Sequence, residues 1–386
     1  MKVPGIYLEN QNPPVPPELL VGVPVFVGFA APFTTPEDKK FWLQPQRFTL
    51  WPQFLEFQQE FQQVTGRQFD YLADSVQGFF DNGGRVCYVY LIQTTFPIRA
   101  DDLKTGLDAL EALNTVDLVC IPGLIDLNLQ AMILEHCEQM GDRFAILDAM
   151  DASFEGVQRQ KDYLSQAGGD RERGSYGALY YPWLKIESGE KPKLVPPCGH
   201  IAGMYARSDR AVGVHHAPAN LPLEGVLDLT VNLSAMEQAT LNPENQVGVN
   251  CIRALRGRGI RVWGARTLSQ EAQWQYINVR RLFITVGRWI QAHLADVVFE
   301  PNDVSLWMRV ERELGIYCES LWRQGALQGA TAKEAFYVHC NAETNPLSLR
   351  EVGQVGVELG LAPTIPGEFI RVSLIHGESG VTLTPA

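Results

Sequence analysis

Apolar residues recur along this chain in two periods, and the switches between them mark its elements. The run Gly22-Val23-Pro24-Val25-Phe26-Val27-Gly28-Phe29-Ala30 has strand length and β-rich composition. Phe54, Phe57, Phe61 and Val64 recur at helical spacing, which predicts a helix over 52–64. A second helix is predicted over 70–81, leading through Asn82-Gly83-Gly84 into a strand at 85–92. Further strands are predicted at 116–121, 144–149 and 176–184, with helices near 102–113, 126–140 and 155–167. Strand and helix in turn predict an α/β layer with a parallel or mixed sheet.

Residues 186–200 read as a turn-rich link, followed by a helix at about 200–211 and a strand at Leu227 to Leu233. Two long helices dominate the later half. Val279, Leu282, Phe283, Val286, Ile290 and Leu294 form one apolar stripe; Trp307, Val310, Leu314, Tyr317 and Leu321 form the other. Asp303 is the expected N-cap of the second helix and Gly325 its stop. The tail returns to alternation at Ala335–Cys340 and Glu368–Ile375, with a last short strand at Val381 to Thr384.

The first 24 residues differ from the rest. Six prolines fall there, which forbids helix and favours extended chain. Between them, Val3 to Leu8 is strand-like but too poor in apolar groups to bury itself, so it is expected to order against a partner or not at all.

Composition excludes several classes. With 46% hydrophobic and 20% charged residues, the chain is that of a folded protein. A net charge of −12 argues against a nucleic-acid partner, which calls for a basic footprint. Seven cysteines without a CxxC pair suggest buried thiols, neither a disulfide framework nor a zinc ribbon. The N-terminus lacks the apolar segment of a signal peptide, and no run approaches the length of a membrane span.

Catalytic motifs are not found: there is no GxxxxGK[ST], GxSxG, HExxH or EF-hand loop. Asn82-Gly83-Gly84 precedes a strand, whereas a phosphate turn opens a helix. His215 and His216 are adjacent and expected to point apart, and His200 near Cys198 reads as structural. Asp148, Asp151 and Glu155 follow an apolar strand, where α/β ligands gather. Asp151 and Glu155 fit better as a helix N-cap and first-turn acid. No metal, cofactor or catalytic residue is therefore assigned, and the expectation is a protein that is not an enzyme. An α/β nucleotide-binding protein or enzyme built on 85–185 is the alternative.

Charge is unevenly placed. Between Cys251 and Ile290 lie eight arginines, no lysine and one acid, Glu271. Arginine forks suit carboxylates, and in an acidic protein those of neighbouring copies are available. Arg256, Arg258, Arg261, Arg266, Arg280 and Arg281 are thus expected to make subunit–subunit contacts.

Four blocks, in order over nearly the whole chain, resemble contractile tail-sheath proteins. The first is Pro4-Gly5-Ile6-Tyr7-Leu8-Glu9 followed by Gly22–Gly28. The second runs from Gly257 to Leu268 and includes Val262-Trp263-Gly264-Ala265-Arg266. The third is Tyr276-Ile277-Asn278-Val279-Arg280-Arg281-Leu282. The fourth comprises Ala335–Val338, Thr344-Asn345-Pro346, Leu361-Ala362-Pro363 and Pro366–Ile370. At 386 residues the chain is short for the sheath of a large myophage, and Gly367 stands where the family often has alanine. Its size resembles sheaths of extracellular injection particles or small prophage tails.

The resemblance implies an α/β (mixed α+β) fold with a sheath-type core. Residues 1–24 become an extended linking arm, 25–185 an α/β domain, 186–200 a linker and 201–386 a C-terminal α+β domain ending in a β-arm at 368–386. It implies a homo-oligomer of stacked sixfold rings around an inner tube protein, bounded by baseplate and terminator or cap proteins. A sheath paralogue is a further candidate partner. The arm strand Val3, Pro4, Gly5, Ile6, Tyr7 and Leu8 and the tail residues Ile370, Val372, Leu374, Val381 and Leu383 would add strands to neighbours. Pro346 to Val352 matches a tube-gripping helix, with Arg350 toward the tube. Assembly in the cytoplasm is implied, within a phage tail or tail-like particle that is later released or membrane-anchored.

Overall fold

The computed structural model describes residues 19–31, 43–66, 69–150, 153–166, 172–189, 191–244, 246–368, 372–377 and 380–385. Each face of the first strand is apolar, and that decides its place. In β1 (Pro24–Ala30), Phe26 enters one core cluster while Val25 and Val27 enter another. A strand buried on both faces belongs in the middle of a covered sheet.

The chain continues through β2 (Gln46–Phe48), β3 (Cys87–Gln93), β4 (Leu118–Cys120), β5 (Phe144–Asp148) and β6 (Gly177–Tyr181). Three short strands follow: β7 (Leu184–Ile186), β8 (Lys193–Val195) and β9 (Val226–Leu229). The hairpin β10 (Asn250–Leu255) and β11 (Gly259–Trp263) comes next. Eight strands join in the order β11-β10-β6-β5-β4-β1-β3-β2, parallel from β10 to β3 and antiparallel at both edges. Helices Trp51–Thr65, Leu72–Asp81 and Cys198–Val212 bury Phe54, Phe79 and Tyr205 in the Phe26 cluster. Helices Ala100–Ala109, Leu127–Met140 and Phe154–Gln166 bury Leu107, Ile133 and Leu164 in the Val25 cluster. The result is an α/β fold.

Two expectations need correction. The 186–200 stretch is not a plain link: it holds β8, which pairs with β7, and the start of the helix Cys198–Val212. Nor does it divide the sheet, because β10 pairs with β6 across it. Proline and glycine content reports local turns, not which sheet a later strand joins. Val64 is exposed, so the helix Trp51–Thr65 is anchored by its three phenylalanines.

Helix Cys198–Val212 sits deep because it carries glycine where it meets Leu72–Asp81. A Cβ on Gly199 would lie 2.2 Å from the Ser75 carbonyl oxygen, and one on Gly203 2.3 Å from that of Phe79. Beyond the sheet, helices Ile277–His293 and Val304–Arg323 pack with Trp289 stacked on Tyr317 at 3.9 Å. Asp303 caps the second of these through the amides of Ser305 and Leu306. Strands β12 (Phe336–His339) and β13 (Glu358–Leu361) pair beside them, and β14 (Val372–Gly377) and β15 (Gly380–Pro385) form a separate antiparallel pair. Among the described residues, no helix is long and apolar enough to cross a membrane. All seven cysteines are buried and free.

Candidate functional site at the two ends of the core

The N-terminal segment enters the core at Gly22, in left-handed backbone with φ +69°. A Cβ there would stand 2.6 Å from Ala206 Cα, so the close approach to helix Cys198–Val212 requires glycine. The amides of Gly22 and Val23 donate to the Asp117 carboxylate at 2.9 and 2.6 Å. Arg288 donates to the Leu20 carbonyl at 3.1 Å and lies 3.7 Å from Asp117. Arg281, one helical face with Arg288 at i, i+7, forks onto Asp209 at 2.9 and 2.5 Å. Its Nη2 also reaches Asp117 at 3.4 Å. The four side chains are at most 4% exposed. Two arginines and two aspartates balance, as buried charge must. Burial works against the Arg281 charge, but Asp209, with Asp117 behind it, more than offsets this and holds the pKa above its ordinary value.

The other end leaves through a third arginine. Arg266, 1% exposed, pairs with Glu368 at 2.5 Å. It also donates to the carbonyls of Pro243 and, at 3.0 Å, Gln246. Asn250 grips the Arg266 backbone in both directions, each bond 2.7 Å. Glu368 is the last described residue before the tail strands. Both ends of the core are therefore fastened through buried arginine–carboxylate pairs.

A model of the phage tail sheath protein central domain matches residues 97–268, and one of the phage tail sheath C-terminal domain matches 269–373. This chain belongs to the tail-sheath family. The sheath protein of Salmonella phage ViI is 22% identical over 72% of this chain, a span that covers 46% of that relative. The chain spans less than half the length of the curated relatives it matches. Among solved structures, the anti-feeding prophage helical sheath in its contracted state is 29% identical. It has a TM-score of 0.74 and covers 98% of this chain and 100% of its own. The sheath complex of the extracellular contractile injection system PVC, also contracted, is 27% identical with TM-score 0.74, covering 98% and 99%.

In this sheath protein the arginine expectation is corrected for three residues. Arg266, Arg280 and Arg281 are buried and used within the subunit, Arg280 stacking on Trp274 at 3.6 Å and Tyr176 at 4.3 Å. A guanidinium with five donors can satisfy carboxylates and carbonyls of its own fold as well as a neighbour's. Arg261 is half-buried and donates to the carbonyls of Asn220 and Arg258, while Arg256 and Arg258 are exposed at the β10–β11 turn. Arg288, absent from the expected contact set, belongs to the root. Its i, i+7 spacing from Arg281 was the available signal. Arg350 is exposed on the short helix Leu347–Glu351, over Trp307 at 5.3 Å. Val3 to Leu8 and Ile370 lie outside the described residues. Val372, Leu374, Val381 and Leu383 fall in the β14–β15 pair, where Leu374 is opposite Leu383.

The carboxyl ends of the parallel strands hold hydrogen bonds internal to the fold. Asp148 accepts from the amides of Gly123 at 3.0 Å and Cys198 at 2.9 Å, anchoring the helix Cys198–Val212. Gln130 and Gln160 bond each other and the Asp148 carbonyl. Glu155 is exposed in a helix first turn, and Asp151 lies outside the described residues. His200 and His215 are buried; His215 and His216, in a turn instead of a strand, bring their rings to 4.6 Å. Among the described residues, no group of three or more His, Cys, Asp or Glu is placed to hold a metal ion.

Burial pushes Asp148 up to about 6 from an ordinary 3.8, its amide donors pulling it back only in part. The folded protein thus binds this proton more tightly than the unfolded chain. The stability it contributes is full below about pH 4 and is lost as pH rises through about 6. Asp148→Asn removes that titration. Its denaturation free energy is expected to gain on the parent by up to about 3 kcal/mol between pH 4 and pH 7. A pH-independent difference refutes the assignment.

Proposed function

We propose that this sheath protein polymerises with its own copies as stacked sixfold rings around an inner tube, and contracts to drive that tube through a target envelope. The observation that carries the reading is likeness over 98% of the chain to sheaths solved in a contracted state, one of them a helical sheath. Baseplate and cap proteins would bound the polymer, and the subunit acts as a structural element with no catalytic role. The particle is assembled in the cytoplasm before release or membrane anchoring.

The two arm roots support this. Contraction moves rigid bodies while the links between them hold, so a link must be fastened where it enters the body. Leu20 is fastened by buried Arg288, Gly22–Val23 by Asp117 with Arg281 and Arg288 behind it, and Glu368 by Arg266. The tail pair β14–β15 is a two-stranded sheet among the described residues, marginal alone, and its edges suit strands of a neighbour. Arg350, exposed at Leu347–Glu351, faces the tube in this reading.

Negative-stain microscopy of the purified chain with its tube protein tests it. Striated cylinders are expected, and the Arg350→Glu chain should still polymerise but lose tube occupancy. A monodisperse monomer under every condition refutes the sheath function; unchanged tube occupancy refutes the Arg350 contact alone.

A further inference from the structure

The β10–β11 turn places two positive charges at a tip with no carboxylate beside them among the described residues. Gly257 and Gly259 take φ +72° and +75°, and the Arg258 amide closes the turn onto the Leu255 carbonyl at 2.9 Å. Arg261 holds the Arg258 carbonyl at 2.9 Å, fixing the tip backbone. Arg256 and Arg258 are exposed, and neither side chain has a carboxylate partner among the described residues. Like charges so close repel, which a subunit gains nothing by holding in place alone.

The complementary feature lies where helix Leu72–Asp81 meets helix Cys198–Val212 and β7. A cavity of about 210 Å³ is lined by Asp74, Asp81, Glu187, Gln77 and His200, among others. Of the three carboxylates only Asp74 has a cation among the described residues, Lys193 at 2.6 Å. Burial pushes Asp81 up, with the Gln77 hydrogen bond offsetting it only in part. His200 is 2% exposed and its Nδ1 has no hydrogen-bond partner among the described residues. Burial lowers its pKa to about 4, so the ring is neutral at neutral pH and adds no positive charge to the cavity. Exposed carboxylates beside a neutral ring describe a site for a donor-rich cation. A planar guanidinium supplies that better than an ammonium does.

We propose that this cavity receives the Arg256/Arg258 tip of a second copy, forming a head-to-tail contact of the sheath lattice. The inference rests on the sheath reading. A contact between two different patches of one chain propagates into a helix instead of closing a dimer, as a sheath needs.

Charge exchange in the full chain tests it. Arg256→Glu/Arg258→Glu and Asp81→Arg/Glu187→Arg are each expected to cut pelletable cylinders by about tenfold or more, since like charges then meet. All four changes in one chain should restore them. The altered residues are exposed, so unchanged melting temperatures check the fold of each variant. Parent cylinders from Arg256→Glu/Arg258→Glu overturn the contact. So does a folded fourfold variant that stays monomeric while the parent polymerises, the outcome if the tip meets the tube. A parent that forms no cylinders overturns the sheath reading itself.

Discussion

Replacing Arg281 by methionine is expected to cost the folded subunit about 3–5 kcal/mol, the usual loss when one partner of a buried ion pair is removed. Methionine fills much of the volume but leaves Asp209, at 1% exposure, without the fork at 2.9 and 2.5 Å. Asp117 keeps Arg288 and the two amides of the arm root, so the loss centres on Asp209. The second variant, Arg281→Met with Asp209→Leu, removes both charges. It should recover most of the loss, because a well-packed apolar pair is often as stable as the ion pair it replaces. Chemical denaturation of the unassembled subunit measures both. A single variant within about 1 kcal/mol of the parent, the range of an exposed pair, would show that the cluster is solvated and fastens nothing.

That cluster also shows where sequence reading ends. The strand β1 was legible because both its faces are apolar, and the helices Ile277–His293 and Val304–Arg323 because their stripes recur at helical spacing. Arginine density was legible as charge, but not the side it faced. Asp209 lies 72 residues from Arg281 and Asp117 lies 164 away, so no local pattern links them. The same holds for Glu368, 102 residues from Arg266. An arginine on the flank of an apolar stripe reads identically whether its acid comes from its own fold or a neighbour's. Only the tertiary arrangement separated Arg281 and Arg266, which are internal, from Arg256 and Arg258, which are not. The link at 186–200 misled for a related reason: turn residues bound elements, while sheet membership depends on pairing across the chain.

A chain lacking residues 1–18 is expected to fold as well as the parent and to form no cylinders. The cut is placed by the root. Leu20, Gly22 and Val23 give their backbone groups to Arg288 and Asp117, and Pro24 opens β1. Removing residues through 24 would strip the cluster of these partners, mixing loss of the arm with damage to the core. Removing only 1–18 leaves every described contact of the root in place. Its melting temperature should therefore match the parent, and any failure to polymerise belongs to the arm. Arg281→Met makes the opposite experiment, an intact arm on a softened root. If the arm carries load between rings, both variants impair the sheath, but only the second is less stable as a monomer. Full-length cylinders from the truncated chain would mean that the lattice is held by body contacts such as the arginine tip, and that the N-terminal arm links nothing.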